Sequence, residues 1–362
     1  MSRILNNDTS RGVSAHRRQE VLTVARKIGY HPHRSARALR LRRHFNVAYV
    51  LMESSMLRSD LDLPFGRFRL YGMEEVLTAR GYMLSLLRLD FEELQGIQEK
   101  ALRWRQVDGL VFNYRAPSAE VMALLREARL PAVLIDGDVF EQSQRTISCV
   151  LSDREGGIGQ AMRHLIQQGH RRIAFLSAQS NPRRFAGYLR ALAEHGLERD
   201  EGLIRLWSDG TGSLGGGSDG RMPWSDYFIV GRLKGYRATQ ELLAERAPFT
   251  AIQAGSDFTA AGAIDALREV GIRVPEDVAV VGFDDVDGLK VSPFREPFLT
   301  TVYDPNFEMG QRAAELLLAQ IEEGAESQLA VLPTRLVVRE SCGARRHSER
   351  GEVSVTETIR LD

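Results

Sequence analysis

The sequence predicts an α/β protein, with a body of two lobes carrying parallel sheets and a small all-α arm in front of it. Three observations predict this. From Val47 onward, short aliphatic runs alternate with longer helical patterns, as in a parallel sheet flanked by helices. After about Ser148 the rhythm starts afresh, and 362 residues is length for two lobes of similar size rather than one. Residues 1–46 hold eleven Arg and Lys against Asp8 and Glu20, a net charge of +9 in a chain of 48 basic and 48 acidic residues. A basic arm therefore precedes an acidic body, an asymmetry that points to nucleic acid or membrane contact by the arm.

In the arm, Ser14 is placed to cap a helix in which Val21, Leu22, Ala25 and Ile28 recur at helical spacing, and Gly29 ends it before Pro32. A second short, arginine-rich helix spans about 34–41. The first lobe reads as strand 47–52, helix 65–80 stopped by Gly81, and strands 82–87, 109–112 and 131–136. The second reads as helix 154–168 closed by Gly169, strand 172–177, helix 182–195, strand 250–255, helix 258–270 and strand 278–283. Residues 208–226 are glycine-rich and poor in apolar side chains, so they read as a long surface loop. A last strand-like stretch lies at 335–339, and the polar residues 343–362 read as a disordered tail. The domain organisation expected is an arm at 1–44, a two-lobed body at 45–342 and the tail at 343–362.

Composition closes off several classes. With 43% hydrophobic and 27% charged residues the chain is not disordered throughout. Cys149 and Cys342 are the only cysteines and form no C-x-x-C pair, which excludes a disulfide framework or a structural zinc site and fits a reducing compartment. No signal-peptide pattern opens the sequence, and no apolar run approaches the roughly 20 residues of a membrane helix, so a cytoplasmic protein is expected. His164 and His170 stand six apart, unsuited to adjacent ligation from one helix. Neither a nucleophile elbow nor a phosphate loop occurs, so no enzyme activity, cofactor or metal is expected.

Three carboxylates fall where ligands sit in an open α/β sheet, just beyond the carboxyl ends of strands: Asp136 after PAVLI, Asp257 after TAIQAGS and Asp284 after VAVVGF. A carboxylate accepts hydrogen bonds from vicinal hydroxyls and an arginine donates in a fork, so such carboxylates with Arg184 suit a polyol or sugar. Each aspartate taken alone is better explained as a turn residue or a helix cap; it is the set that points to a ligand.

The arm, with SRILNN and then VS…RRQEVLTVARKIGYHPHRSARALR, resembles the LacI/GalR family of bacterial transcription repressors. The body does so as well, through VDGLVF, GHRRIAFLS, RRFAGYLRALAEHGL, AGSDFTAAGAIDALREVGIRVPEDVAVVGFDD and a helix over 309–322. The resemblance implies a two-lobed body like the type I periplasmic binding proteins, operator DNA and a small-molecule effector as partners, and a homodimer. It implies base reading by Arg3, phosphate contacts by Ser2, Asn6 and Ser14, and DNA-side roles for Tyr30, His33 and Leu39, the last as a minor-groove wedge. In the body it implies effector contacts by Arg184 and Asp284, less rigidly by Asp136 and Asp257, with Phe65 packing on the ligand's apolar face. Members of the family carry about twenty further residues ahead of the position of Met1, completing a helix-turn-helix. Two readings follow, an operator-binding regulator whose start lies further upstream or a headless cytoplasmic sugar-binding protein that does not bind DNA specifically.

Overall fold

A computed structural model describes residues 14–28, 43–52, 64–89, 106–113, 117, 119–136, 147–179, 181–208, 224–286 and 297–343. Ser2, Arg3, Asn6, Tyr30, His33, Leu39, the short helix expected at 34–41 and the tail beyond Gly343 lie outside the described residues. Of the arm, α1 (Ala15–Lys27) is described. The Ser14 hydroxyl accepts the Arg17 N–H at 3.4 Å, and Arg26 and Lys27 face the negative end of the helix dipole.

Six parallel strands build the first sheet: β1 (Asn46–Met52), β2 (Met83–Leu89), β3 (Gly109–Asn113), β4 (Ala132–Ile135), β5 (Ser148–Ser152) and β11 (Leu329–Leu332). Their order is β11-β5-β4-β3-β1-β2. Every residue of β3, β4 and β5 is buried, as expected of strands covered on both faces. One face packs against α2 (Pro64–Ala79) and α8 (Asn306–Glu323), where Met73, Leu77, Met309 and Leu317 meet Val47, Tyr49 and Val133. The other face packs against α3 (Ala119–Glu127) through Val121, Met122 and Leu125.

The second sheet has the order β7-β6-β8-β9, again parallel, from β6 (Ile173–Ala178), β7 (Ile204–Trp207), β8 (Ala251–Ala254) and β9 (Ala279–Val281). Helices α4 (Arg154–Gln167) and α5 (Pro182–Glu194) cover one face, and α6 (Trp224–Ala244) and α7 (Asp257–Glu269) the other. Bridges from Val281 to Thr300 and from Asp284 to Tyr303 add β10 (Thr301–Tyr303), which pairs antiparallel with β12 (Arg335–Val337).

The helices match the sequence reading closely, but the division between lobes differs from it. Residues 148–152 are a strand of the first sheet, and α8 and β11 return to that sheet from the far end of the chain. Among the described residues the chain thus crosses between lobes three times, after β5, after β10 and after β11. The crossings after β5 and after β11 are laced together: the Asp153 N–H donates to Leu332 O at 2.9 Å, and the Thr334 hydroxyl donates to Asp153 O at 2.8 Å. A rhythm of strands and helices cannot report which sheet a strand joins, because the pairing is non-local. Of the loop expected at 208–226, residues 209–223 lie outside the described residues, and the last three belong to α6, which begins at Trp224.

Candidate functional site

The second lobe contributes Arg184. Arg184, Gly187, Tyr188, Ala191 and Leu192 form the buried stripe of α5, at the i, i+3, i+4, i+7, i+8 spacing of a core-facing helix. The arginine on this otherwise apolar stripe is 6% exposed. Its Nη2 donates to Asp284 Oδ1 at 2.8 Å, its Nη1 donates to the Gly255 carbonyl, and its guanidinium lies 3.9 Å from the Phe283 ring centroid. Gly187 lets α5 close on the first turn of α4, because a Cβ there would stand 2.4 Å from Glu155 O.

Asp284 follows β9 with φ of 114°, and Asp285 follows with φ of 55°. Two consecutive non-glycine residues at positive φ are strained backbone, the kind retained where a side chain must be aimed. Burial pushes the Asp284 carboxyl up to about 6, against the pull of Arg184 and with a further push from the Asp304 charge. Asp257, 1% exposed, has both oxygens taken: Oδ2 accepts the Val286 N–H at 2.8 Å and Oδ1 accepts the Thr301 hydroxyl. Burial and the neighbouring Asp284 charge raise its pKa well above the usual carboxylate range. Asp257 thereby ties the segment after β9 to the start of α7, while Ser256 caps that helix by accepting the Thr259 N–H at 3.2 Å.

The first lobe contributes Asp136, at the end of β4 with φ of 55°. Its Oδ2 accepts from Arg69 Nη2 at 2.6 Å and from Arg154 Nη2. Burial alone would raise this carboxyl, but the Arg154 and Arg69 guanidiniums hold it at about 2. Arg69, fully buried in α2, also donates to Asn113 Oδ1 at 2.7 Å and to Asn306 Oδ1 at 2.9 Å. The two helices that carry Arg69 and Asn306 come this close because Gly310 has no side chain; a Cβ there would stand 1.9 Å from Arg69 O. Phe65 is half-buried one turn before Arg69 on α2, and so shares its face.

Arg154 and Asp304 join the two halves. Arg154 opens α4 in the second lobe, yet reaches Asp136 of the first, and its Nη2 lies 3.4 Å from Asp304 Oδ2. Asp304 stands between β10 and α8, on a segment that crosses between lobes. Asp284 feels the charges of both Asp304 and Arg154, so Asp136, Arg154, Asp304, Asp284 and Arg184 form one electrostatic array spanning both lobes. Of the residues expected at the site, the structure brings Asp136, Arg184 and Asp284 into this array and sets Asp257 behind it. Phe65 is placed on the neighbouring helix face.

Arg69, Asn113, Arg154, Asp304 and Asn306 were not foreseen from sequence. One signal for Arg69 was available, since Gly66, Arg69, Met73 and Leu77 form the buried stripe of α2 and an arginine on such a stripe needs a buried acid.

Two lobes, three crossings and a charged array at their junction define a ligand-binding protein of the periplasmic-binding type. Residues 54–212 match the family described as periplasmic binding proteins and sugar binding domain of LacI family, and residues 162–342 match the periplasmic binding protein-like domain. The chain is 33% identical over 350 residues to the HTH-type transcriptional regulator CelR of Thermobifida fusca, covering 94% of this chain and 93% of that protein. It is 31% identical to the repressor PurR of Erwinia tasmaniensis over 352 residues, covering 94% and 92% of the two chains. A solved CelR–cellobiose complex superposes with a TM-score of 0.64 at 30% identity, over 94% of each chain. The chain belongs to the LacI family of DNA-binding transcription regulators.

Proposed function

We propose that this regulator is a repressor that binds operator DNA as a homodimer, and that a carbohydrate effector held between the lobes of the 45–342 body sets its affinity for DNA. The observation that carries the reading is the Arg154–Asp136 pair, because a second-lobe helix there grips a first-lobe strand beside the Arg184–Asp284 pair. A ligand entering this array competes for hydrogen bonds that also fix how the lobes meet, so binding and lobe arrangement share one free energy. Arg184 and Asp284 contact the effector, Asp136 holds the lobes, Asp257 supports Asp284, and Phe65 offers an aromatic face. The cellobiose bound by CelR makes a β-linked glucose disaccharide the first effector to try. The protein acts by binding rather than by catalysis, in the cytoplasm; none of its described helices is long and apolar enough to cross a membrane.

A gel-shift titration of the promoter fragment next to its gene, with and without cellobiose, glucose or galactose, tests this. The expected result is a shifted fragment whose apparent affinity changes at least about tenfold with one of the sugars, a coupling of about 1.4 kcal/mol. DNA affinity that no sugar alters, although a sugar binds, would contradict the coupling.

A further inference from the structure

Helix α8 touches the charged array at one end and the arm at the other. Asp304 stands just ahead of it, and its first residue, Asn306, accepts from Arg69 through Oδ1 at 2.9 Å. With 18 residues it spans about 27 Å. At its far end the carbonyls of Ile321 and Glu322 accept from Arg43 Nη2, at 3.0 and 3.3 Å. The last carbonyls of a helix have no partner within it, and a guanidinium there also meets the negative end of the helix dipole. Arg43 is the residue at which the arm joins the body, shortly before β1 begins at Asn46.

The main chain beyond Arg43 is tied to the sheet rather than to α8. The His44 and Asn46 N–H groups donate to the two carboxylate oxygens of Asp108 at 2.8 and 3.2 Å, and the Phe45 carbonyl accepts the Met83 N–H at 2.8 Å. A shift of α8 against the sheet is therefore taken up at the Arg43 side chain, where the arm leaves the body. The helix can carry such a shift as a unit. Met309, Ala313, Leu316 and Leu317 are buried along its length, and its close approach to α2 at Gly310 ties the two helices together. Packed elements of this kind move between discrete arrangements instead of deforming continuously.

We propose that Arg43 is a positioning residue of the regulatory response, whose hold on the end of α8 carries the arrangement of the lobes to the DNA-binding arm. The proposal rests on the effector reading above, which places the ligand at the other end of the same helix, and it assigns the route between the two. Because Arg43 stands a helix length away from the array, its loss should weaken the response and leave sugar binding intact.

The test is a gel-shift titration of the promoter fragment by the unaltered chain, Arg43→Ala and Arg43→Lys, with and without cellobiose, glucose or galactose, beside calorimetry of each protein with the same sugars. In the unaltered chain one sugar should change the apparent DNA affinity at least about tenfold. In Arg43→Ala that change should shrink to less than about threefold while the sugar binds as before, and Arg43→Lys, which keeps a charged donor, should restore most of it. A folded Arg43→Ala that keeps the full sugar-dependent change, whatever its affinity for DNA, shows a merely structural contact and overturns this proposal, leaving the effector reading standing. Thermal unfolding shows whether Arg43→Ala folds. Should it not fold, amide hydrogen exchange of the unaltered chain decides: the sugar should alter exchange over residues 43–52, and unaltered exchange there overturns the proposal. Failure of every sugar to bind, or to change the DNA affinity of the unaltered chain, overturns the effector reading, and this proposal with it.

Discussion

The two lobes end corresponding strands in the same way and treat the result oppositely. Asp136 after β4 and Asp284 after β9 are both buried aspartates at positive φ. Asp136 receives two guanidiniums and is held at about 2, whereas Asp284 receives one, faces Asp304 and is pushed up to about 6. The same local geometry gives a firmly ionised clamp in one lobe and a carboxyl poised near neutrality in the other. Their partners decide the difference: Arg69 and Arg154 bring charge to Asp136 from two elements, one in each lobe, while Arg184 divides its donors between Asp284 and Gly255.

The largest effect should come from breaking the clamp. Asp136→Asn keeps shape and tolerance of positive φ but removes the carboxylate charge to which the fully buried Arg69 donates. Removing one side of a buried pair costs about 3 to 5 kcal/mol, to be read as a lower midpoint in urea unfolding at pH 7. A loss below about 1 kcal/mol would mean that Asn113 and Asn306 alone satisfy Arg69.

A smaller and pH-dependent effect is expected in the second lobe. Arg184→Ala removes the attraction that lowers the Asp284 carboxyl and should destabilise the empty protein by about 1 to 3 kcal/mol at pH 8. The sign with pH follows from the raised pKa: stability from protonated Asp284 is fully present below about 3.8 and is lost as pH rises through about 6. The penalty of Arg184→Ala should therefore shrink between pH 8 and pH 5, and a penalty constant over that interval would break the comparison. Because Arg184 is buried, this variant lowers the stability of the empty protein as well as removing a candidate effector contact.

Much of this was legible in the sequence, and for definable reasons. Parallel strands declare themselves as aliphatic runs, and Asp136 and Asp284 stand immediately after two of them, so their placement at strand ends required only periodicity. Arg184 came from its resemblance to a family motif, and its place on an apolar helical stripe is independent support. What was not legible is the pairing. Arg69 meets Asn306 across 237 positions and Arg154 meets Asp304 across 150, because the chain returns to the first lobe after completing the second. Asp257 also stands just after a strand, but the bonds that its oxygens accept from the Thr301 hydroxyl and the Val286 N–H come from segments remote in sequence and were not legible there.

The contrast between the two aspartates is tested most directly by carboxyl-carbon NMR of aspartate-labelled protein, titrated from pH 8 downward, with Asp136→Asn and Asp284→Asn used for assignment. The account predicts that the Asp284 resonance moves with a midpoint near 6, while the Asp136 resonance stays at its ionised position at pH 4 and below for as long as the fold persists. Both resonances titrating together near 4, the usual range for an aspartate in water, would contradict it.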